Sequence, residues 1–450
     1  MGADGLDQLY AEHLRMMAAR TDRSLAAAGF DALVIHAGNP PTQFLDDQDY
    51  PYKVNPHFKA WVPVIDNPRS VLIYRPGGRP QLLFHQPADF WHQAARLPEE
   101  PWAEAVDVIP LADASRAHDH WSALGRVAFI GPPGAVDPAE TPSVNDAELL
   151  TALHYDRAVK TAYELECMRR ASDLGAVAHD AARAAFRRGA SEYEVHMDYL
   201  AACVQREEEL PYNNIVAYNE HAAILHYQHL DRRAPSPLRS FLLDAGAQFR
   251  GYASDITRTH AAGPGLFADL VAAVDRAQRS LCAAIVANRD YRDVHLQAHR
   301  LLGDVLHDAG ITTIDGAQAL ERGVTSVFFP HGIGHLLGLQ VHDVGGVMGD
   351  LKGEERPRPE GHPYLRLTRM LEPGVVVTVE PGLYFIPSLL AAAQASDKRL
   401  LIDWNVVDEL RPYGGIRIED NVVTTRDRPE NMTRDAFGRL ESRTPAQRPI

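Results

Sequence analysis

Carboxylate side chains interrupt apolar, strand-like segments of this chain, and this feature limits its fold more than any other. They are Asp244 in FLLDAG, Asp255 in YASDITRT, Glu380 in VVVTVEPG and Glu419 in GGIRIED. Burying an unpaired carboxylate is very costly, so each one needs a cation, a hydrogen-bond network or a raised pKa. A single such acid is more often a hydrogen-bonded turn residue, but four of them in one region favour cations that they share.

A turn and a histidine-rich segment extend this pattern. The turn-like QFRG lies between Asp244 and Asp255, so a hairpin would bring the two carboxylates together. The segment PHGIGHLLGLQVHD contains His331, His335 and His342 among glycines that allow backbone or substrate to approach closely. One histidine would usually be a satisfied core residue, whereas three in one short segment, beside buried acids, favour a metal ligand.

Four carboxylates and one imidazole form an oxygen-rich donor set. Such a set suits Mn²⁺, Fe²⁺ or Co²⁺ better than a cysteine-rich zinc site would, although it does not exclude Zn²⁺. Four negative charges balance two divalent ions, and two ions about 3.5–4 Å apart can activate water and polarise a carbonyl. A serine or cysteine hydrolase is disfavoured, because the chain has no G-x-S-x-G motif and no cysteine in a recognisable nucleophile motif.

The order of segments predicts two domains of different character. The 450 residues are enough for two or three domains. An amphipathic helix is followed by the strand candidates ALVIHAG, AWVPVI, SVLIY, QLLFH and GRVAFIG. A helical region with a capping box at Ser191 and Glu194 comes next, and then short strands, AAILHY among them, and two helices. We therefore predict an α/β N-terminal domain over 1–159 and an α+β C-terminal domain over 160–450.

Charge and cysteine content disfavour several classes of function. The chain has 60 acidic and 45 basic residues, a formal charge of −15, and such a surface repels nucleic-acid phosphates. No run of about 18 apolar residues occurs, and the first residues lack the apolar core of a signal peptide. Three cysteines without metal-ligand spacing do not indicate disulfides. We expect a cytoplasmic protein with no nucleic-acid or membrane partner.

The order and spacing of these motifs resemble the metal-binding signature of the pita-bread metallopeptidases. The motifs are D-x10-D, HGIGH, VEPG and IRIED. That superfamily includes methionine aminopeptidase, aminopeptidase P, prolidase and creatinase, and the chain is especially similar to bacterial Xaa-Pro dipeptidases and organophosphorus acid anhydrolases. The similarity extends over nearly the whole chain, including FLDDQDYPYKVNPHFKAWVPVIDNP, FFPHGIGHLLGLQVHDVGG, EGHPYLRLTR and PYGGIRIEDN.

The resemblance implies a pita-bread fold for the C-terminal domain and a centre of two divalent metal ions, Mn²⁺ ahead of Co²⁺, Fe²⁺ or Zn²⁺. It assigns the metal ligands as Asp244, Asp255, His335, Glu380 and Glu419. Asp255 and Glu419 would bridge the two ions. Asp244 would bind one ion, and His335 and Glu380 would bind the other. Glu380 would also handle protons near the nucleophilic water, and His342 would steady the scissile carbonyl or the tetrahedral intermediate.

Further residues match substrate-binding positions of the related enzymes: His226, His331, Arg366, Arg417, Tyr212, Tyr291, Leu365 and Asp47. Cationic donors suit the free carboxylate of a dipeptide, and His226 and Arg366 are preferred for that task. Tyr212, Tyr291 and Leu365 would line the pocket. Asp47 lies in a segment that reaches the active site of the partner subunit in the relatives. A surface salt bridge is the alternative for Arg366, and an ordinary acidic loop is the alternative for Asp47.

The resemblance predicts a homodimeric Xaa-Pro dipeptidase, a metal-dependent enzyme that hydrolyses the bond before a C-terminal proline. That bond resists general peptidases, because the imide nitrogen has no N–H and the ring fixes φ. Phosphotriester hydrolysis is expected as a side activity. The rivals are aminopeptidase P, which shares the metal ligands but accepts longer peptides, and a non-catalytic pita-bread module that binds protein partners. Such modules lose metal ligands.

Overall fold

The computed structural model describes residues 3–91, 93–137 and 143–442 of the chain. The chain folds into two compact units. The first comprises Met1–Cys167 together with Asp350–Glu354, and the second comprises Met168–Gly349 and Glu355–Ile450. Within the described ranges, no helix combines the length and the apolar character needed to cross a membrane.

The first unit is built on a five-stranded mixed sheet. Its strands are β1 (Ala32–His36), β2 (Val71–Tyr74), β3 (Gln81–His85), β4 (Asp107–Leu111) and β5 (Val127–Ile130), and its helices are α1 (Ala3–Ala28), α2 (Pro56–Trp61) and α3 (Ala147–Arg157). The strand order is β4-β3-β2-β1-β5. The β1–β5 and β3–β4 pairs are parallel and the others antiparallel, so the predicted hairpin of SVLIY and QLLFH is confirmed.

The strand predicted at AWVPVI is wrong. Helix α2 ends at Trp61, and residues 62–65 form no strand. Asn55 caps this helix by accepting a hydrogen bond from the backbone N–H of His57, and Pro56 occupies its first turn. Pro63 has no N–H to give to a strand ladder. Local capping therefore outweighs the β-like composition of the segment.

Helix α4 (Ala162–Arg187) leads into the second unit, which is larger and mixes helices with short sheets. Its further helices are α5 (Glu192–Cys203), α6 (Leu266–Ala283), α7 (Tyr291–Asp308), α8 (Gly316–Glu321), α9 (Thr325–Phe328), α10 (Pro387–Gln394), α11 (Trp404–Leu410) and α12 (Met432–Ser442). Its strands are β6 (Ile215–Tyr218), β7 (Ser240–Ala245), β8 (Gln248–Phe249), β9 (Tyr252–Ala253), β10 (Ile256–Ala261), β11 (Val376–Val379), β12 (Gly382–Tyr384), β13 (Gly415–Arg417), β14 (Asp420–Val423) and β15 (Glu430–Asn431). They form the sheets β10-β7-β6 and β11-β14-β15 and the pairs β12-β13 and β8-β9.

The core beside the β10-β7-β6 sheet determines which side of β7 faces the site. Phe241 and Leu243 of β7 belong to one buried cluster with Ala178 and Ala182 of α4. Small side chains on α4 allow the helix and the strand to pack closely. Because side chains alternate along a strand, Asp244 points to the face opposite this core.

Two local predictions in this unit have different outcomes. The capping box of α5 is confirmed, because Ser191 and Glu194 each accept a hydrogen bond from the backbone N–H of the other. The strand predicted at AAILHY is wrong. Asn219 has φ of 51°, in the left-handed region, and a 3₁₀ helix over Asn219–Ala223 follows β6. A left-handed residue ends an extended strand, so the apolar run cannot continue it.

Gly246 sits at the end of β7, where a side chain has no room. An added Cβ would collide with the carbonyl oxygen of Ser254 and would lie 2.8 Å from Cε1 of Tyr212. Gly246→Ala should therefore lower the free energy of unfolding by about 1–3 kcal/mol, as overpacking usually does. Chemical unfolding followed by fluorescence measures this loss. At Gly263, in contrast, a Cβ meets no atom within 4 Å, so Gly263→Ala should change stability by less than about 0.5 kcal/mol. Equal losses in the two variants would contradict the prediction.

Candidate metal centre

A cavity of about 890 Å³ in the second unit gathers most of the predicted site residues. Those that line it are Tyr212, His226, Asp244, Asp255, His331, His335, His342, Leu365, Arg366, Glu380, Arg417 and Glu419. Its size lies within the range of roughly 300–1,000 Å³ that is typical of small-molecule sites. The structure thus brings the predicted metal ligands and most predicted substrate-binding residues to one place.

Asp244 and Asp255 lie side by side, as the hairpin prediction requires. Asp244 is on β7, and Asp255 directly precedes β10, whose residue Thr257 is the register partner of Asp244. The hydroxyl of Tyr212 lies 2.8 Å from Oδ1 of Asp244 and 2.6 Å from Oδ1 of Asp255. A hydroxyl carries a single proton, so Tyr212 donates to one carboxylate at a time while holding both at one position.

His335 reaches the cavity because its segment pairs with β11. The backbone N–H of Thr378 on β11 donates to the carbonyl of His335 over 3.0 Å, and Glu380 directly follows this strand. The His335 Nε2 lies 3.4 Å from Oδ2 of Asp255 and 3.7 Å from Oε1 of Glu380. Its Nδ1 lies 3.0 Å from the carbonyl oxygen of Leu336. A proton on Nδ1 leaves the lone pair of Nε2 facing the carboxylates, which is the arrangement of a metal-binding histidine.

Glu419 enters the cavity from the turn between β13 and β14. Its backbone N–H donates to the carbonyl of Thr257 over 3.0 Å, and the Thr257 hydroxyl donates to its Oε2 over 2.7 Å. Arg417 lies two residues earlier, and its Nη2 donates to Oδ2 of Asp244 over 2.7 Å. Residues far apart in the sequence therefore converge on one carboxylate cluster.

This cluster carries more negative charge than its protein neighbours neutralise. Burial raises the pKa of Glu380 to about 7. Burial also raises the pKa of Glu419 well above its usual value, and the charges of Asp255 and Glu380 add to this shift. The pKa of Asp244 is raised by burial as well, although Arg417 opposes the change. Burial is thus the main cause of these shifts, and repulsion between neighbouring carboxylates adds to the shifts of Glu419 and Asp244.

The donor set fits divalent cations. Oxygens of Asp255 and Glu419 and a nitrogen of His335 all lie within 4.8 Å of one another. Against the effect of burial, the pairing of His335 with Asp255 lowers the pKa of the carboxyl and raises the pKa of the imidazole. Carboxylates with one imidazole suit hard or borderline divalent ions. Such ions would supply the positive charge that the cluster lacks.

His331 and His342 lie on either side of this group and differ in their surroundings. The Nε2 of His331 lies 2.9 Å from the hydroxyl of Tyr384, and its Nδ1 lies 3.7 Å from Oε2 of Glu380. The ring of His342 lies edge-on to His335, with 4.5 Å between the centroids. His342 is exposed to the cavity, whereas protein groups hold His331. Of the two, His342 is therefore the one more open to a bound molecule.

Leu365, Arg366 and His226 line the cavity with unequal access to solvent. Leu365 is buried, and Arg366 and His226 are exposed. The Nε of Arg358 donates to the carbonyl of Leu365 over 2.7 Å, and this bond holds the backbone beside Arg366. The guanidinium of Arg366 is thus carried by a fixed segment and remains open to solvent.

Tyr291 and Asp47 are not among the residues that line the cavity. Tyr291 is fully buried, and its hydroxyl donates to the carbonyl of Thr378 over 2.6 Å. Its position is thus behind β11, where it supports the strand that leads to Glu380. Asp47 lies in an exposed loop of the first unit.

Tyr384 and Thr257 organise the site, although the sequence motifs do not single them out. The hydroxyl of Tyr384 accepts a hydrogen bond from Nη1 of Arg417 over 3.0 Å, and Thr257 donates to Glu419. The spacing in the sequence could have indicated both residues, since Thr257 follows Asp255 by two residues and Tyr384 follows Glu380 by four. Residues at even spacing along an extended segment share a face.

Replacing Glu419 by glutamine should separate folding from metal binding. In chelated protein, Glu419→Gln replaces a carboxyl whose ionised form is disfavoured by burial and by neighbouring carboxylates, so its melting temperature should equal or exceed that of the wild type. A carboxyl whose pKa is raised in the folded state lowers the stability of the protein as the pH rises above the ordinary pKa of the group, so this advantage of the variant should grow with rising pH. Mn²⁺ should raise the melting temperature of the wild type much more than that of the variant, because an amide supplies no anionic ligand.

Calorimetry with and without Mn²⁺ measures both effects. Glu409→Gln, which changes an exposed carboxylate on α11, is the matched control and should follow the wild type throughout. The interpretation fails if Mn²⁺ shifts the melting temperatures of Glu419→Gln and the wild type equally.

Known proteins resemble both parts of the chain. The family described as Xaa-Pro dipeptidase, N-terminal domain, matches residues 8–155, and metallopeptidase family M24 matches residues 166–426. The Xaa-Pro dipeptidase of Xanthomonas campestris pv. campestris (strain B100) is 50% identical over 439 residues, which are 97% of this chain and 99% of the relative. That of Stenotrophomonas maltophilia (strain R551-3) is 50% identical over 431 residues, 95% of this chain and 97% of the relative.

A solved structure supports the architecture. Zinc-substituted Escherichia coli aminopeptidase P in complex with product superposes with a TM-score of 0.71 and 24% identity, covering 93% of this chain and 95% of that chain. The predicted fold class, an α/β N-terminal domain with an α+β pita-bread domain, is confirmed. The chain belongs to metallopeptidase family M24, and it carries the N-terminal domain found in Xaa-Pro dipeptidases.

Proposed function

We propose that this chain is a dipeptidase that hydrolyses Xaa-Pro dipeptides and releases the C-terminal proline. The observation that carries this function is the cavity itself, in which clustered carboxylates and His335 lie beside exposed groups such as Arg366. A volume of about 890 Å³ accommodates a dipeptide. Relatives named as Xaa-Pro dipeptidases share half of the aligned residues over nearly the full length of the chain.

Two divalent ions, with Mn²⁺ as the first choice, are the proposed cofactor. The proposed ligands are Asp244, Asp255, His335, Glu380 and Glu419. These five side chains line one cavity and would together hold the two ions. When bound, such ions lower the pKa of water and polarise a carbonyl. The oxygen-rich donor set supports Mn²⁺, with Co²⁺, Fe²⁺ and Zn²⁺ as alternatives.

Side chains of the protein perform the proton transfers. The carboxylate of Glu380, which lines the cavity 3.7 Å from Nε2 of His335, takes the proton of the attacking water and returns it to the proline nitrogen. General acid–base catalysis of this kind needs a group within hydrogen-bond reach of the reacting atoms. His342, exposed beside His335, donates to the oxygen of the scissile carbonyl as negative charge develops on it.

Arg366 and His226 are the proposed partners of the substrate carboxylate. Arg417 is less suited to this task, because its guanidinium already binds Asp244 over 2.7 Å and Tyr384 over 3.0 Å. Arg366 lines the same cavity and is exposed. A guanidinium forms strong, charge-assisted hydrogen bonds to a carboxylate, so this contact would select substrates that end at proline.

Two other activities are weaker candidates. Aminopeptidase P has the same fold, but the similarity to the Escherichia coli enzyme at 24% identity concerns the fold alone. A non-catalytic role is disfavoured, because all five predicted metal ligands are present. Phosphotriester hydrolysis would be a side reaction of the same centre, since metal-activated water can attack phosphorus as well as carbon.

A homodimer in the cytoplasm completes the proposal. The loop over 41–50 exposes Phe44 and Leu45 to 88% and 91%, and neighbouring exposed apolar side chains mark contact surfaces. Asp47 lies in the same loop. In a dimer, this carboxylate would be available to the ammonium group of a substrate in the partner subunit.

Arg366→Ala should lower kcat/KM for Ala-Pro by about ten- to a hundredfold, because a charge-assisted contact is lost. Methyl esterification of the proline carboxylate should cost the wild-type enzyme a similar factor and should hardly affect the variant. When the mutation and the ester remove the same interaction, their losses in kcat/KM are not additive. Steady-state kinetics of both enzymes on Ala-Pro and Ala-Pro methyl ester measure the four values of kcat/KM that this double-change cycle compares.

Arg322→Ala is the matched control for this cycle, since Arg322 is exposed and does not line the cavity. It should retain wild-type kinetics on both substrates. Additive penalties of mutation and ester would show that Arg366 does not hold the carboxylate. A wild-type enzyme that tolerates the ester would favour the aminopeptidase P alternative, which does not require a free carboxylate at proline.

A further inference from the structure

Three histidines outside the carboxylate centre form a compact cluster in the second unit. His295 and His299 lie on α7, and His362 lies in the segment before β11. Their ring centroids are 4.5–4.7 Å apart, and one ring nitrogen from each lies within 4.8 Å of the others. The ring of Phe329 packs against His299 and against His331, so it lies between this cluster and the cavity.

The spacing of His295 and His299 is that of a metal-binding helix. Residues four apart lie on one face of an α-helix, with about 5–6 Å between their Cβ atoms. Zinc sites use histidine pairs at this spacing. His362, from a separate segment, adds a third imidazole, and three histidines are a complete set of protein ligands for zinc with one open position.

Two nitrogens in the cluster have no hydrogen-bond partner in the described part of the chain. Nδ1 of His299 lies 2.7 Å from the hydroxyl of Thr325, and Nε2 of His299 has no partner. Nε2 of His295 lies 2.9 Å from Nδ1 of His362, and Nδ1 of His295 has no partner. His295 and His299 are each 1% exposed, so bulk water does not satisfy them. Buried polar atoms left in this way are costly, and Nε2 of His299, whose Nδ1 is held by Thr325, is available to bind an ion.

The protonation state of the cluster is the one that binds metals. Burial, together with the neighbouring histidines, lowers the pKa of His295 to about 2 and that of His299 to about 3. Both rings are therefore neutral near neutral pH, and neutral imidazole is the form that donates a lone pair to a metal ion. The hydroxyl of Thr325 can accept the proton of His299 Nδ1, which orients the ring and leaves Nε2 free.

We propose that His295, His299 and His362 bind one zinc ion, at a site separate from the carboxylate centre. The three-imidazole donor set favours Zn²⁺ over Mn²⁺, whereas the carboxylate centre favours harder ions. His362 is partly exposed, so an ion can enter from its side. The chain would then bind metal ions at two places that differ in donor chemistry.

A zinc ion here would tie the segment around His362 to helix α7. His362 precedes Leu365 by three residues and Arg366 by four, and both of these line the cavity. Zinc would therefore stiffen one wall of the cavity. A consequence of this stiffening for substrate binding rests on the proposed function, whereas the zinc site itself does not.

Zinc content measured in variants of the full chain tests the proposal. Chelated wild type, His362→Gln and His120→Gln are dialysed against the same low concentration of ZnCl₂, and bound zinc is counted by mass spectrometry. His120 is an exposed histidine of the first unit and provides the control. The wild type and His120→Gln should hold one more zinc ion per chain than His362→Gln. Repeating the count in an Asp255→Asn background, which weakens the carboxylate centre, should leave this difference unchanged.

A second measurement needs no variant in the cluster. Zinc should protect His362 of the wild-type protein from diethyl pyrocarbonate, read by peptide mass spectrometry, while His120 stays reactive. Equal zinc contents in folded wild type and His362→Gln, or modification of His362 that zinc does not slow, would overturn the site. An inactive enzyme with the expected difference in zinc content would overturn the proposed function and leave the zinc site standing.

Discussion

The burial of several carboxylates at one place is the constraint on which the candidate metal centre depends. Burial raises the pKa of Glu380 to about 7 and that of Glu419 well above its usual value. A chain gains nothing in stability from such a cluster, because every buried charge without a counter-charge costs free energy. The arrangement becomes favourable when divalent cations bind, since their charge offsets the repulsion and their binding energy stabilises the folded state. Function and folding are thereby linked through the same residues.

The surrounding strands keep the carboxylates in place in spite of this cost. The apolar face of β7 packs against α4, which turns Asp244 toward the cavity. Hydrogen bonds from Tyr212, Thr257 and Arg417 then hold individual carboxylate oxygens at 2.6–2.8 Å. Each of these donors satisfies an oxygen that would otherwise be unpaired. Thr257 on β10 and Arg417 on β13 also fix the positions of carboxylate oxygens before an ion arrives, and a metal centre requires such fixed positions.

Local chemistry explains which parts of the fold were predictable from sequence. The capping box at Ser191 depends on neighbouring residues, and the structure contains it. Of the four acids predicted in apolar strands, Asp244 lies within a strand, whereas Asp255, Glu380 and Glu419 lie next to strand ends. The strands predicted at AWVPVI and AAILHY are absent. A helix cap at Asn55 and the left-handed backbone of Asn219 determine the local structure there, despite the apolar composition of both segments. The sequence indicates the roles of Tyr384 and of the histidine cluster only in part. The spacings of Tyr384 from Glu380 and of His295 from His299 are local signals, but contacts between residues 33 and 67 positions apart complete the two arrangements.

The need for two ions at the carboxylate centre is tested most directly by titrating chelated protein with Mn²⁺ and assaying peptide hydrolysis after each addition. Activity on Ala-Pro should stay low through the first equivalent of metal and rise with the second, because two ions would together supply the charge that lowers the pKa of water and polarises the carbonyl. Ala-Pro-Ala should remain uncleaved throughout. Full activity after a single equivalent, with no further change, would contradict a dinuclear centre, and cleavage of Ala-Pro-Ala at a comparable rate would contradict a dipeptidase.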